Sequence, residues 1–335
     1  MTIQETQIIK GVAILMMIFG HLFGQLYNVK LCESFYLCGD MPFVYWLSAA
    51  AAPVAFFLML SGYGMYFIHA RGKGDAHRWS RISKLYIHWW VILLLFTVPV
   101  YINSGKYYDN IYHVICNYSA FDTSWYGEGW FLFPYICLSL LSPLFFRITD
   151  QFKARWILTV VFLFGIGTSF IISRYGSQYL YQNHLLYNLF LIAHLAPAFI
   201  FGAMMYRTNI VRKIQENYKS KWLWLGLVTI VIIMCVTRTA AWGPLYATAF
   251  IIQFLAAPRW KWINKILSHL GDHSMNMWLI HAWFCYYIFH DEVYSLRYPL
   301  LIFVALVVVS LICSYLVNTI CGLPSFVIDK CRRLK

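Results

Sequence analysis

Ten apolar stretches, of which the seventh and eighth are short for a membrane span, constrain the fold of this 335-residue chain more than any other feature. A helix rises about 1.5 Å per residue, so roughly 20 apolar residues cross the hydrocarbon core of a bilayer. A helix also satisfies the backbone hydrogen bonds that lipid cannot. We therefore predict an all-α, polytopic transmembrane bundle of about ten helices. The predicted spans are residues 8–27, 43–69, 84–102, 130–147, 155–173, 184–206, 221–236, 242–257, 276–290 and 298–319.

The composition supports a membrane protein rather than a soluble one. Hydrophobic residues make up 61% of the chain and charged residues only 12%, against about 25% charged in soluble domains. No polar gap is long enough to bury a core, so we predict one transmembrane domain over residues 1–335. A net charge of +13 would suggest a nucleic-acid partner in a soluble protein. Here the basic residues lie in short loops between spans, so we expect a lipid bilayer as partner and no nucleic acid.

The Lys and Arg residues are divided unequally between alternate loops, which predicts the orientation. One set of loops carries 20 of them and the other set carries 5. Because basic loops stay on the cytoplasmic side, both termini are predicted to be cytoplasmic. The basic set comprises loops 70–84, 147–156, 207–221 and 258–275 and the tail from residue 329.

The first apolar stretch contains two ionisable residues, Lys10 and His21, eleven positions apart. In a helix they lie ~16 Å apart along the axis and ~20° apart around it, so they share one stripe. An ionisable group inside a bilayer is costly and is by default a functional hypothesis. The alternative is a histidine hydrogen-bonded between helices, with Lys10 as a snorkelling flank. Gly20 and Gly24 form a GxxxG pair, which predicts close helix packing.

Other polar groups are candidates too, and each has a structural alternative. His88, His194 and His281 lie within or near spans. The basic cluster of the first cytoplasmic loop either holds the phosphates of an anionic cofactor or contacts lipid headgroups. Glu128 and Trp130, at the end of the longest outer loop, are typical of a sugar-binding rim or of an interfacial aromatic belt. The basic cluster comprises Arg71, Lys73, Arg78, Arg81 and Lys84.

The nine cysteines show no CxxC pair and no zinc-ligand spacing with histidine, so we expect no metal. Cys32 and Cys38 share one short loop and would form a disulfide if that loop faces an oxidising compartment. The sequence also has no serine-hydrolase elbow, no P-loop and no HExxH pattern.

Six short motifs follow one another over residues 8–285, and their order and spacing resemble the acyltransferase-3 family of bacterial inner-membrane acyltransferases. The first is a basic residue, ten residues and a histidine, from Lys10 to His21. The others lie in residues 53–67 with Ser61 and Gly62, 81–86, 129–132 with 142–144, 199–204 with Gly202, and 278–281. The chain departs from the family at Ile87-His88 and at Pro134-Tyr135, and it resembles the stand-alone, membrane-only branch.

The resemblance implies an enzyme of the bacterial inner membrane. It takes an acyl group, most often acetyl, from acyl-CoA on the cytoplasmic side and transfers it to a hydroxyl of a surface glycan or a lipid-linked saccharide. His21 is then a general base or an acyl carrier, and His281 is a second base or an orienting partner. Donor-binding residues would be Lys10, Arg78, Arg81 and Lys84, and acceptor-binding residues Glu128, Trp130, Ser61 and Tyr63.

Two other classes of protein stay open. A proton-coupled transporter of a glycan or a lipid-linked sugar would use the buried histidines as a relay, although the two halves show no internal repeat. In a purely structural membrane subunit, replacement of His21 would leave the phenotype intact. The sequence also leaves open a homo-oligomer or a complex with glycan-assembly proteins.

Overall fold

The computed structural model describes residues 1–37, 39–72, 75–108, 110–218 and 220–333, with side chains described outside residues 75–77, 177 and 323–333. Within those residues the chain is helices and loops, with one isolated bridge between Tyr36 and Pro42. The ten long helices of this described part are α1 (Ile3–Phe23), α2 (Pro53–His69), α3 (Asp75–Ser104), α4 (Leu132–Gln151), α5 (Ala154–Tyr175), α6 (His184–Arg207), α7 (Trp222–Thr237), α8 (Gly243–Ala256), α9 (Lys261–Ala282) and α10 (Pro299–Arg333).

The predicted all-α membrane bundle is confirmed. In the described residues, seven helical segments are long and apolar enough to cross a membrane, and two further apolar helices are shorter. The seven are Ile3–Phe23, Phe43–His69, Arg78–Ser104, Gly127–Gln151, Ala154–Tyr175, His184–Arg207 and Pro299–Gly322. The shorter pair is Trp222–Thr237 and Ala240–Ala256. The cytoplasmic placement of the termini stays a prediction, and so does the Cys32–Cys38 disulfide, because Cys38 lies outside the described residues.

The predicted bounds of the first span are wrong at both ends. α1 begins at Ile3, five residues before the predicted start, because Thr2 and Glu5 form a capping box there. It ends at Phe23, so the predicted last turn is not part of it. The consequence is that His21 lies in the last turn of α1 rather than in its interior.

The predicted ninth span, 276–290, begins and ends later in the chain than the helix that the structure shows there. α9 begins at Lys261, so most of the predicted loop 258–275 is helical. A buried polar residue near its middle is paired inside the bundle: His273 Nδ1 lies 2.9 Å from Ser314 Oγ, and both residues are buried. Hydropathy alone does not recognise such a segment, because it scores residue types and not their partners.

The second predicted span is broken into two helices. A short helix, Phe43–Ser48, is followed by residues 49–52 and then by α2. Pro53 occupies the first turn of α2, where its missing N–H needs no partner. Gly20 of the predicted GxxxG pair approaches this break, since an added Cβ there would lie 3.1 Å from the Ala51 side chain. A broken helix at membrane depth is tolerated where it is buried in protein or lines a cavity.

α1 and α9 pack with their backbones in contact. A Cβ added to Gly11 would lie 2.0 Å from the Leu267 carbonyl oxygen, and one added to Gly271 would lie 1.9 Å from that of Gln7. Gln7 and Leu267, and likewise Gly11 and Gly271, are 260 positions apart in the chain. The contact is therefore reciprocal. His21 and His281, also 260 positions apart, are in contact further along, so the two helices run parallel with this fixed offset.

A second reciprocal contact joins α2 and α6. A Cβ added to Gly62 would lie 1.8 Å from the Phe199 carbonyl oxygen, and one added to Gly202 would lie 2.0 Å from that of Met59. Any side chain at these glycines would force the two helices apart. Apolar helices gain little hydrophobic energy by associating in lipid, so such close packing is what holds them together.

Gly62→Ala is expected to lower the free energy of unfolding by about 1–3 kcal/mol, because overpacking strains backbone and side chains. Gly64→Ala is the matched control, since a Cβ at Gly64 meets nothing within 4 Å. The midpoint of thermal unfolding in detergent, followed by intrinsic fluorescence, measures both. Equal midpoints for the two variants would show that the α2–α6 approach is not tight.

Candidate functional site

His21 lines a cavity of about 250 Å³ at the break in the second span. The opposite wall comes from the 3₁₀ turn Gly127–Phe131 and from α9. Glu128 and Trp130, both predicted to bind the acceptor, therefore lie in the same cavity as His21. The complete lining is Met17, Gly20, His21, Ser48, Ala51, Pro53, Val54, Glu128, Trp130, Phe131 and Trp278.

The imidazole of His21 contacts that of His281. Their ring centroids are 4.8 Å apart, and the rings meet edge to face at 85°. His281 is fully buried near the end of α9. The two histidines are 260 positions apart, which is the same offset as in the glycine contact, so the close packing of α1 and α9 sets their meeting.

The hydrogen bonds of His281 determine which of its nitrogens carries the proton. Nδ1 lies 2.8 Å from the Trp278 carbonyl oxygen and 3.1 Å from that of Met277. A carbonyl oxygen only accepts, so Nδ1 is the protonated nitrogen and Nε2 is left as an acceptor. That Nε2 is buried without a partner among the described residues, and so is Nδ1 of His21. The two unpaired nitrogens belong to adjoining rings.

Two tyrosines fix the backbone around His21. The Tyr286 hydroxyl donates to the His21 carbonyl oxygen, and the Tyr294 hydroxyl donates to the Leu22 carbonyl oxygen at 2.9 Å. The last carbonyls of a helix lack partners within it, so these hydroxyls complete the end of α1. Burial raises the pKa of Tyr294, which keeps its hydroxyl protonated and a donor.

Glu128 is held in place from α9 and the turn that follows it. The Tyr287 hydroxyl donates to Glu128 Oε2 at 2.8 Å, and it accepts from the Gly127 N–H at 2.8 Å. The Trp278 indole N–H donates to the Glu128 carbonyl oxygen at 3.3 Å. Glu128 is thus fixed in the wall of the His21 cavity, to which the α9 residue Trp278 also contributes.

A second cluster of polar residues lies around Lys10, half the length of α1 from His21. Arg81 Nη2 donates to the Tyr135 hydroxyl at 3.0 Å, and Ser61 Oγ donates to the same hydroxyl at 3.4 Å. Lys10 interacts electrostatically with Tyr135, Arg81 and Lys84. The structure therefore brings together three of the predicted donor-binding cations, and helix geometry separates Lys10 from His21 by ~16 Å along α1.

The remaining predicted site residues lie on the same side as Lys10. Arg78 and Arg81 line a small cleft between α2, α3 and α4, and Lys84 is exposed one turn further along α3. The Tyr63 hydroxyl accepts from the amino group of Met1. Ser61 and Tyr63 are thus not in the His21 cavity with Glu128 and Trp130, and Lys73 lies outside the described residues.

His88 and His194 are not in contact with the His21–His281 pair. His88 Nδ1 lies 2.7 Å from Asn276 Oδ1, and the Asn276 amide donates to Asn318 Oδ1 at 2.9 Å. This buried network joins α3, α9 and α10. His194 lines a neighbouring cavity.

Several residues of the site were not predicted from the sequence, Tyr286 and Tyr135 among them. Tyr286 and Tyr135 make their contacts with residues 265 and 54 positions away, respectively. The only sequence signals are a tyrosine pair soon after His281 and a tyrosine at the position where the chain departs from the family pattern.

Comparison with known proteins supports the resemblance. The sequence profile of the family Acyl_transf_3, described as an acyltransferase domain, matches residues 4–319, which is nearly the whole chain. Neither the curated proteins nor the solved structures contain a match to the chain.

Tyr286→Phe is expected to lower the free energy of unfolding by about 1 kcal/mol, because the His21 carbonyl loses its buried donor. Tyr246→Phe is the matched control, since the buried Tyr246 hydroxyl has no partner among the described residues and its removal is expected to be neutral or stabilising. Thermal unfolding of the purified variants distinguishes them. A loss in Tyr246→Phe as large as in Tyr286→Phe would contradict the role assigned to the Tyr286 hydroxyl.

Proposed function

The chain belongs to the acyltransferase-3 family and is a membrane acyltransferase, and we propose that it O-acylates a glycan in the bacterial inner membrane. The donor is acyl-CoA on the cytoplasmic side, most simply acetyl-CoA. The acceptor is a hydroxyl of a surface glycan or a lipid-linked saccharide. The observation that carries the proposal is the His21–His281 pair at a cavity, aligned along α1 with the Lys10 cluster.

His21 Nε2 is the group that acts on the acceptor. A hydrogen bond from His21 Nδ1–H to His281 Nε2 would satisfy both unpaired buried nitrogens at once. Nε2 of His21 is then unprotonated and available to the cavity. An alcohol is a poor nucleophile at neutral pH, and a neutral imidazole is the usual side chain that removes its proton.

The transfer needs one proton relay. The acceptor oxygen attacks the thioester carbonyl, its proton passes to His21 Nε2, and the C–S bond then breaks. The CoA thiolate takes the proton back from His21, so the products are an ester and a thiol. If His21 instead carries the acyl group, the same Nε2 is the attacking atom. His281 is in both cases a positioning residue, which holds the His21 tautomer.

The Lys10 cluster provides the charge for the donor. CoA is rich in phosphates, and guanidinium and ammonium groups are their usual partners. Arg81 and Lys10 would make the central contacts, with Arg78 and Lys84 beside them. The Tyr135 hydroxyl holds the Arg81 guanidinium, and Ser61 donates to that hydroxyl in turn. The long flexible arm of CoA would carry the thioester along α1 toward His21.

His21→Ala is expected to lower CoA release from acetyl-CoA by about 100-fold or more, because general-base catalysis is lost. The assay measures free thiol with detergent-purified protein and a glycan extract as acceptor, and thermal unfolding is recorded alongside. His184→Ala, at an exposed histidine, is the control and is expected to keep full turnover.

Turnover that persists in a folded His21→Ala variant would refute the catalytic role of His21. If the folded wild type releases no thiol with several acyl donors and the extract, the proton-coupled transporter becomes the better interpretation. A transporter does not consume acyl-CoA.

Arg81→Gln is expected to raise KM for acetyl-CoA about tenfold while leaving KM for acetyl-pantetheine nearly unchanged, because acetyl-pantetheine lacks the phosphates. The control is Arg71→Gln, since the exposed Arg71 guanidinium lies 4.0 Å from the Phe67 ring and outside the Lys10 cluster. Steady-state thiol release measured with both donors gives the two KM values for each variant. An equal rise for the two donors would show that Arg81 does not recognise phosphate.

A further inference from the structure

A second cavity, of about 440 Å³, adjoins the one at His21. It lies among α2, α5, α6, α7 and α8, next to the break in the second span. Five residues line both cavities, and Trp130 is the largest of them. The shared residues are Ser48, Ala51, Pro53, Val54 and Trp130. A molecule that occupies the second cavity therefore borders directly on the space in front of His21.

Most of the second cavity is apolar, and only a few polar side chains line it. Leu58, Phe162, Leu195, Pro197 and Met234 supply apolar wall. Such a wall suits the aliphatic part of an amphiphile. The polar side chains are few, which is typical of a site in which a small number of contacts fixes the orientation of a ligand.

His194 presents a hydrogen-bond acceptor to this cavity. Its Nδ1 lies 3.3 Å from Thr168 Oγ1 and 3.4 Å from Ser169 Oγ. Both hydroxyls already donate their single proton to the Gly165 carbonyl oxygen, at 3.0 Å and 2.8 Å. They therefore accept from His194 Nδ1–H, which leaves Nε2 unprotonated in the neutral ring. A sugar hydroxyl is a suitable donor to such a nitrogen.

Arg238 is the only permanently charged side chain among the residues that line the second cavity. It lies in the turn between α7 and α8 in a left-handed conformation, with φ of 48°. Its guanidinium lies 4.3 Å from the centre of the Tyr45 ring, and it forms no ion pair with a carboxylate among the described residues. An exposed guanidinium that lines an apolar cavity and has no carboxylate partner among the described residues matches an anionic group on a ligand.

The two cavities together are electrically polarised. Arg238 lines the second cavity, and Glu128 lines the His21 cavity. An anionic group would be attracted to Arg238 and repelled from Glu128, so the charge would hold one end of a ligand away from the histidine. The opposite end of that ligand would face His21.

We infer that the second cavity binds the acceptor as an anionic glycolipid, with its negative group on Arg238, a sugar hydroxyl on His194 and another hydroxyl directed to His21. This assignment rests on the proposed acyl transfer for the role of the ligand as acceptor. The binding site itself stands on the cavity and its charges. The negative group is either a phosphate that joins sugar to lipid or a sugar carboxylate, since a guanidinium binds both.

Binding of three matched probes tests the inference with no acyl donor present. The probes are decyl glucoside, which is neutral, decyl glucuronide, which carries a carboxylate, and glucosyl decyl phosphate. They are titrated onto the wild-type protein in nanodiscs, with thermophoresis as readout. We expect an anionic probe to bind at least about tenfold more tightly than the neutral one, the effect of one charge-assisted contact. The tighter anionic probe identifies the source of the charge.

Arg238→Gln is expected to bring the affinities of the anionic and neutral probes within about twofold, while Arg238→Lys keeps most of the difference. Arg297→Gln is the matched control. Arg297 also has a left-handed backbone, with φ of 58°, but its Nη1 lies 3.9 Å from Glu33 Oε1 and it lines neither cavity.

Equal affinities of the wild type for all three probes would overturn the inference, and so would a charge preference that survives in Arg238→Gln. Because the measurement uses no acyl-CoA, its failure leaves the proposed transfer reaction intact. Conversely, binding of anionic probes through Arg238 without any thiol release from acyl-CoA would refute the proposed transfer reaction but support the binding site.

Discussion

The parallel contact between α1 and α9 is the constraint on which the candidate site depends. Gly11 and Gly271 let the two backbones touch, and neither position tolerates a side chain without displacing the partner helix. The offset set there continues for ten residues along both helices and brings His21 to His281. An imidazole pair in a bilayer is costly when its nitrogens lack partners. The glycine contact, far from the cavity, is thus what holds the two rings together.

Much of the fold could be predicted from hydropathy, because most helices meet lipid or an apolar core along long runs of the chain. α5 illustrates this, since it is apolar and mostly exposed. α9 illustrates the limit. Its middle contains the buried polar residues His273 and Asn276, and a neighbouring helix provides partners for them at Ser314. Those partners are more than 30 positions away in the chain, where local patterns carry no information.

The candidate site also has one part that could be predicted from the sequence and one part that could not. Lys10 and His21 share one helix, so their spacing predicted a common stripe, and the structure places a polar cluster around each. Tyr135 and Tyr286 belong to other helices or turns, and only the packing shows that their hydroxyls serve Arg81 and the His21 carbonyl. The sequence likewise placed Ser61 and Tyr63 with Glu128. α2 passes both the His21 cavity, at Pro53 and Val54, and the Lys10 cluster, at Ser61. The type of a residue does not indicate at which of these two levels it lies.

The break in the second span has an electrical consequence. α2 begins at Pro53, within the protein, and Pro53 and Val54 in its first turn line the His21 cavity. The peptide dipoles of a helix leave a partial positive charge at its amino-terminal end, and the low dielectric of a membrane interior weakens the screening of that charge. This wall therefore contributes a positive potential without any basic side chain, which opposes the negative potential of Glu128 in the same cavity. Such a potential favours the negative charge that gathers on a carbonyl oxygen when a nucleophile adds to it.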